Sequence, residues 1–193
     1  MKKLLIVLAA LAALFILWVI PSYNGIVNLD EKVSGKWADV ESQYQRRSDL
    51  IPNLVATVKG YADHEKSTLD AVASARAQAS QMKVDIGSAT PEQLAQFEKL
   101  QGSLSSAVSR LMAIAESYPE LKANEHYLEL QAQLEGTENR ITVARRDFNA
   151  AVREYNTSIR HFPSSLVAGI FGFDSKAYFE ADAGADKAPE VEF

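Results

Sequence analysis

The chain has 193 residues, a formal net charge of −5, three histidines and no cysteine. That composition excludes a disulfide framework and any thiolate metal or redox site, and an acidic chain without a basic stripe is a poor nucleic-acid binder. Its nine glycines and six prolines fall mostly between helical patterns, which points to an all-α fold.

The chain opens MKKLLIVLAALAALFILWVIP, two lysines followed by an uncharged, almost wholly apolar run from Leu4 to Ile20. A helix over that run rises about 25 Å, near the lower limit for crossing a hydrocarbon core. Trp18 and Tyr23 fall where an aromatic interface belt would sit. The rival reading is a cleaved secretory signal. Cleavage needs small residues before the cut, whereas this run ends Leu17-Trp18-Val19-Ile20-Pro21. Residues 1–21 are therefore expected to be a single uncleaved transmembrane signal anchor. Lys2 and Lys3 favour a cytoplasmic start and an exported domain, and Lys32 and Lys36 beyond the run reduce that bias.

From Ile26 the apolar residues recur mostly every three or four positions, through Val33, Trp37, Val40, Tyr44, Ile51, Leu54, Val58, Leu69 and Val72. This predicts one long helix with a coiled-coil-like seam to about Gln81, separated from the anchor by a break between Pro21 and Gly25 and kinked at Pro52. Residues 82–91 read as a loop. Thr90, Pro91 and Gln93 then form a capping-box start for a second helix with its seam at Phe97, Gln101, Leu104, Val108, Leu111 and Ala115. Tyr118-Pro119 ends it. A third helix is predicted from Ala123 to His161, with a seam from Tyr127 through Leu134, Ile141, Phe148 and Tyr155 to Phe162.

Long helices on short loops make an up-down antiparallel bundle of three or four helices over 22–173, leaving 174–193 as an extended C-terminal tail. The predicted lengths do not match: about 84 Å for the first helix against about 40 Å for the second. Either the first helix folds at Pro52, or its seam pairs with another copy in a homo-oligomer.

Catalytic and metal patterns are missing from the sequence. His64, His126 and His161 lie on separate segments, and there is no HExxH, P-loop, GxGxxG or GxSxG. No catalytic residue, cofactor or metal site is expected. Two polar clusters stand out: Glu41, Arg46, Arg47, Asp49 and Asn53 around Tyr44 and Pro52, and Glu138, Asn139, Arg140 and Arg145 on the third helix. Arg47 interrupts the seam, so its guanidinium should be enclosed and paired, with Glu138 or Asp147 as partner. Such a layer either sets register between helices or forms a ligand or partner surface. At the end of the chain, Val191 and Phe193 alternate before the carboxylate, as a PDZ-type groove would capture an added strand.

The stretches YNGIVNLDEKVSGKWADVESQYQRRSDLIPNLVATVKGYADHEKSTLDAV (23–72), LEGTENRITVARRDFNAAVREYNTSIRHFPSSLVAGIFGF (134–173) and YFEADAGADKAPEVEF (178–193) closely resemble the LemA family of bacterial membrane proteins. The resemblance covers essentially the whole chain. It implies a single-span N-terminal helix and a bundle related to bromodomain-like four-helix bundles, with 164–173 as the extra helix. It carries no catalytic residues. The expected protein is thus a single-pass protein of the bacterial inner membrane with its domain on the periplasmic side. The expected role is a non-enzymatic scaffold or regulator of partner proteins, including membrane or PDZ-containing proteases. The alternative is a small-ligand sensor or enzyme with a polar site around Arg46, Arg47, Glu138 and Arg140.

Overall fold

The first helix, α1 (Lys2–Lys59), runs unbroken through both of its prolines. In the computed structural model, which describes residues 2–62 and 64–180, every regular element is helical. The predicted break between Pro21 and Gly25 is absent. A helical proline removes one donor and so strands only the carbonyl four residues earlier. Pro21 is exposed, which leaves that carbonyl open to the surroundings. Trp18, Val19 and Ile26 meanwhile pack onto the bundle core and keep the backbone helical across the join.

Pro52 is accommodated differently. The carbonyl it strands belongs to Ser48, a buried residue, and Arg76 donates from Nε to that oxygen at 2.8 Å. Arg76→Met should therefore destabilise the fold by about 1–3 kcal/mol, because the Ser48 carbonyl then has neither a helical nor a side-chain donor. Urea unfolding of the full-length chain measures this, and an unchanged midpoint would contradict it.

The predicted continuation of the first helix to Gln81 is also corrected. Gly60, a weak helix former, opens a turn in which the Ala62 amide donates to the Val58 carbonyl at 2.9 Å and that of Glu65 to the Ala62 carbonyl at 3.1 Å. The chain then doubles back as α2 (Lys66–Gln81). This turn lets Leu69 and Val72 join Ile51, Leu54 and Val58 in one apolar cluster instead of extending into water. The fold-back lies at Gly60, not at Pro52, and it removes the length mismatch. The part of α1 beyond the anchor lies along α5 (Glu125–Arg160), and α2 lies along α3 (Pro91–Ala115). A second copy is no longer needed to cover the α1 seam.

The Thr90–Gln93 capping box forms as read: the Gln93 amide donates to Thr90 Oγ1 at 3.3 Å, and the Thr90 amide to Gln93 Oε1 at 3.0 Å. Pro119 opens a single turn, α4 (Pro119–Lys122). Asn124 then caps α5 by accepting from the Tyr127 amide at 3.0 Å. The α5 seam is buried from Tyr127 to Ile159, but Phe162, its predicted last member, is 81% exposed. After a cis Phe162–Pro163 bond comes α6 (Ser164–Phe171), ended by Gly172 at φ +73°, a left-handed conformation that glycine adopts without steric cost. Residues 173–180 follow without helix as a strap back along the bundle.

The core divides in two along the long axis. The cluster nearer the anchor holds Ile26, Trp37, Tyr44, Phe97, Ile141, Phe148 and Tyr155. The far cluster holds Ile51, Leu54, Leu104, Leu111, Tyr127 and Leu134. Arg47, Ser48, Gln101 and Thr137, the buried polar residues between these sets in sequence, separate the two.

Candidate functional site

Arg47 is 2% exposed, yet it carries a full charge on the seam of α1. Three elements supply its partners. Its Nη1 donates to Glu138 Oε1 on α5 at 2.8 Å, and its Nη2 donates to both Oε1 and the backbone carbonyl of Gln101 on α3, at 2.6 and 3.1 Å. The guanidinium also lies 5.1 Å from the Tyr44 ring centroid, one turn earlier on α1. Ser105 Oγ donates to Glu138 Oε1 at 3.3 Å, which helps orient the carboxylate. The Glu138 side chain is 42% exposed, so one end of the pair reaches water. Arg47 Nε has no partner among the described residues. Burial pushes the Tyr44 hydroxyl above its ordinary pKa, and the nearby Arg145 and Arg47 charges oppose that rise.

Of the two carboxylates expected to face Arg47, Glu138 does so. Asp147 lies further along α5, where it accepts from Arg146 at 3.1 Å. The remaining cluster residues do not converge. Glu41, Arg46, Asp49 and Asn53 are exposed on α1, with Asp49 accepting from Gln45 at 2.7 Å. Asn139 and Arg140 are exposed on α5 beside Val143, which is 46% exposed. Arg145 is drawn to the other core cluster, where it pairs with Glu98, donates to the Glu180 carbonyl at 3.3 Å and stacks 4.7 Å over the Phe179 ring. The proposed constellation of Arg46, Arg47, Glu138 and Arg140 is therefore a buried guanidinium paired with a partly exposed carboxylate, and two surface arginines. A cavity of about 240 Å³ beside the layer is lined by Glu41, Tyr44, Ser48, Lys83, Phe97 and Gln101, so Glu41 alone of the exposed cluster residues on α1 borders it. Among the described residues no group of His, Asp and Glu is placed to hold a metal ion.

The strap is the part of the site that periodicity did not reveal. Asn149 accepts from the Phe179 amide and donates to the Phe179 carbonyl, both at 2.9 Å. Asn156, seven residues on and thus on the same face of α5, repeats this with Lys176 at 2.9 Å in both directions. Each amide side chain matches a backbone donor and acceptor pair, as a neighbouring β-strand would. Tyr155 donates from its hydroxyl to the Asp174 carbonyl at 3.0 Å, and Lys176 Nζ lies 2.7 Å from Asp30 Oδ1. Phe179 is 3% exposed, with its ring 5.8 Å from Trp37 and 5.4 Å from Phe148. The bundle thus extends beyond residue 173 to at least Phe179. The proposed recognition residues Val191 and Phe193 lie outside the described residues.

Burial pushes the Tyr155 hydroxyl up to about 12. In the unfolded chain a tyrosine ionises near pH 10, so the folded state favours the neutral form. The stability this contributes is full below about pH 10 and is lost as pH rises through about 12. The stability gap between the native chain and Tyr155→Phe should therefore narrow over that window in urea unfolding; a gap independent of pH would contradict it.

The comparisons with known proteins agree on one family. The LemA family model matches residues 36–193. Two magnetosome proteins of Paramagnetospirillum magneticum, MamQ 1 and MamQ 2, are each 30% identical over 189 residues, covering 89% of this chain and 70% of their own length. Magnetosome protein MamQ of Magnetospirillum gryphiswaldense is 29% identical over the same length. Protein LemA of Metamycoplasma hominis is 22% identical over 159 residues, covering 82% of this chain and 68% of its own.

Proposed function

Since this chain belongs to the LemA family, we propose that it is a single-pass, membrane-anchored scaffold that presents the outer surface of its bundle to partner proteins and performs no catalysis of its own. It is a membrane-associated helical protein, and among the described residues one helix is long and apolar enough to cross a bilayer. The observation that carries the proposal is the sorting of its polar residues. Those on the seam, Arg47, Gln101 and Glu138, are engaged with one another, while Asn139 and Arg140 flank exposed Val143 on the α1–α5 surface. A reacting site needs polar groups that converge and remain available to a substrate; the guanidinium here is committed to its own chain.

The test is photocrosslinking in living cells from position 143, read by mass spectrometry. Discrete protein adducts that disappear in an Arg140→Glu background of unchanged thermal stability are expected. Absence of adducts, or adducts indifferent to Arg140→Glu, would refute the proposal. The lysines ahead of the anchor support an exported bundle. Because the chain has no cysteine, a single exposed one at Lys122→Cys reports the side. Labelling by a membrane-impermeant maleimide once the periplasm is opened supports export, and labelling only after lysis contradicts it.

A further inference from the structure

The helix α6 is apolar on its outside as well as its inside. Val167 and Ala168 face the core at 0% and 4% exposure. On the outer side Leu166 and Ile170 are 51% and 68% exposed, Phe162 just ahead of the helix is 81% exposed, and Phe171, in the last turn beside Tyr23, is 52% exposed. Leu166 and Ile170, four apart on the helix, form one stripe along α6, and Phe162 is exposed in the turn just ahead of it. The helix sequence SSLVAGIF carries no charge. In water such a stripe is unfavourable, and contiguous exposed apolar residues mark a surface that is covered by something.

The position of α6 identifies what covers it. The apolar run of α1 ends at Ile20, and α1 continues as helix without a break. Three residues on, the Tyr23 ring meets Phe171 at 4.8 Å and Phe173 at 5.5 Å between centroids. Trp18 and Val19, in the last turn of the apolar run, are half-buried against the core cluster that includes Val167 and Ala168. The C-terminal end of α6 therefore sits level with the point where α1 leaves the apolar run. Trp18 and Tyr23 are of the residue types that favour a membrane interface, and the end of α6 beside them carries exposed Ile170 and Phe171, with Leu166 one turn earlier. Arg160 and His161, both exposed, precede the stripe in sequence, and Asp174, also exposed, follows it.

We propose that α6, together with Phe162, lies in the bilayer interface beside the emerging α1 helix, with its outer apolar face among the lipid acyl chains near the headgroups. This rests on the reading of residues 4–20 as a membrane span. A second contact of this kind stops the bundle from swivelling freely about the anchor and fixes which side of α1 and α5 faces along the membrane. The short uncharged helix needs no membrane crossing of its own, because an interfacial helix buries only about 5–10 Å deep.

The full-length chain, reconstituted in phosphatidylcholine–phosphatidylglycerol vesicles, tests this through single cysteines labelled with an environment-sensitive nitrobenzoxadiazole dye. Ile170→Cys and Phe162→Cys report on α6, Leu8→Cys on the anchor and Lys122→Cys on the far end of the bundle. Nitroxide placed high on the acyl chain should quench Ile170→Cys and Phe162→Cys roughly twofold or more over Lys122→Cys. Nitroxide placed deep on the chain should quench Leu8→Cys preferentially. Quenching at position 8 with none at 162 and 170 overturns the α6 proposal and leaves the anchor intact. No quenching at any site overturns the anchor reading itself. A blue-shifted but unquenched dye at position 170 that reverts on dilution with lipid means that a second copy covers α6, and it also overturns the proposal.

Discussion

Replacing Glu138 by leucine is expected to cost about 3 kcal/mol of stability, more than replacing its partner Arg47 by methionine. The asymmetry follows from where the two charges sit. The Arg47 side chain is 2% exposed and the Glu138 side chain 42% exposed. Removing Glu138 leaves a guanidinium in the core with only the uncharged oxygens of Gln101 as acceptors, and that uncompensated charge dominates the cost. The figure sits at the low end for a broken buried pair because the lost carboxylate already reached water. Removing Arg47 leaves a carboxylate that can hydrate and a Gln101 carboxamide that loses its donor, a cost of about 1–2 kcal/mol. The double variant should recover at least about 1 kcal/mol relative to Glu138→Leu alone, since an apolar pair replaces an orphaned charge. Urea unfolding of the four chains measures the cycle. A larger loss for Arg47→Met than for Glu138→Leu would contradict the account.

The second large effect belongs to the strap. Phe179→Ala should destabilise the bundle by about 3–5 kcal/mol, the range for emptying a buried phenylalanine site. The ring fills a space bounded by Trp37 and Phe148 and covered by Arg145, and it is the strap's one buried apolar side chain, Phe173 and Ala177 being only partly buried against the same core cluster. Its loss should also loosen the backbone pairing at Asn149, so protease cleavage near Tyr178 should accelerate along with the drop in thermal midpoint. If Phe179→Ala melts like the native chain, 173–180 is a superficial tail and the core ends at residue 173.

Much of this was legible in the chain. Seam spacing located α3 and α5 to within a few residues, and the Thr90–Gln93 box placed the start of α3. Arg47 declared itself as a charge on an apolar seam, and Glu138 was one of two carboxylates within plausible reach of it. What failed has physical causes. The turn at Gly60 was invisible because Val58, Leu69 and Val72 keep a helical pattern on both sides of it. Pro21 was read as a breaker, but an exposed proline costs a helix only one bond when neighbouring side chains anchor it. The strap escaped because an extended segment held by side-chain amides has no hydrophobic period. Its signal was the seven-residue spacing of Asn149 and Asn156, two amides on one helix face. Glu41, Arg46, Asp49 and Asn53 were grouped with Arg47, and Asn139 and Arg140 with Glu138, by proximity in sequence, although a helix points neighbours in different directions.

The central claim is that the Arg47 layer holds the bundle in register and that function lies outside it. Thermal unfolding of the full-length Arg47→Glu chain, followed by far-ultraviolet circular dichroism, tests it most directly. Charge reversal sets two carboxylates against each other across the α1–α5 interface, and the account predicts loss of a cooperative transition or a midpoint far below that of the native chain. A native melting curve accompanied by loss of the adducts formed from position 143 would contradict it, because the layer would then serve a partner and not the fold.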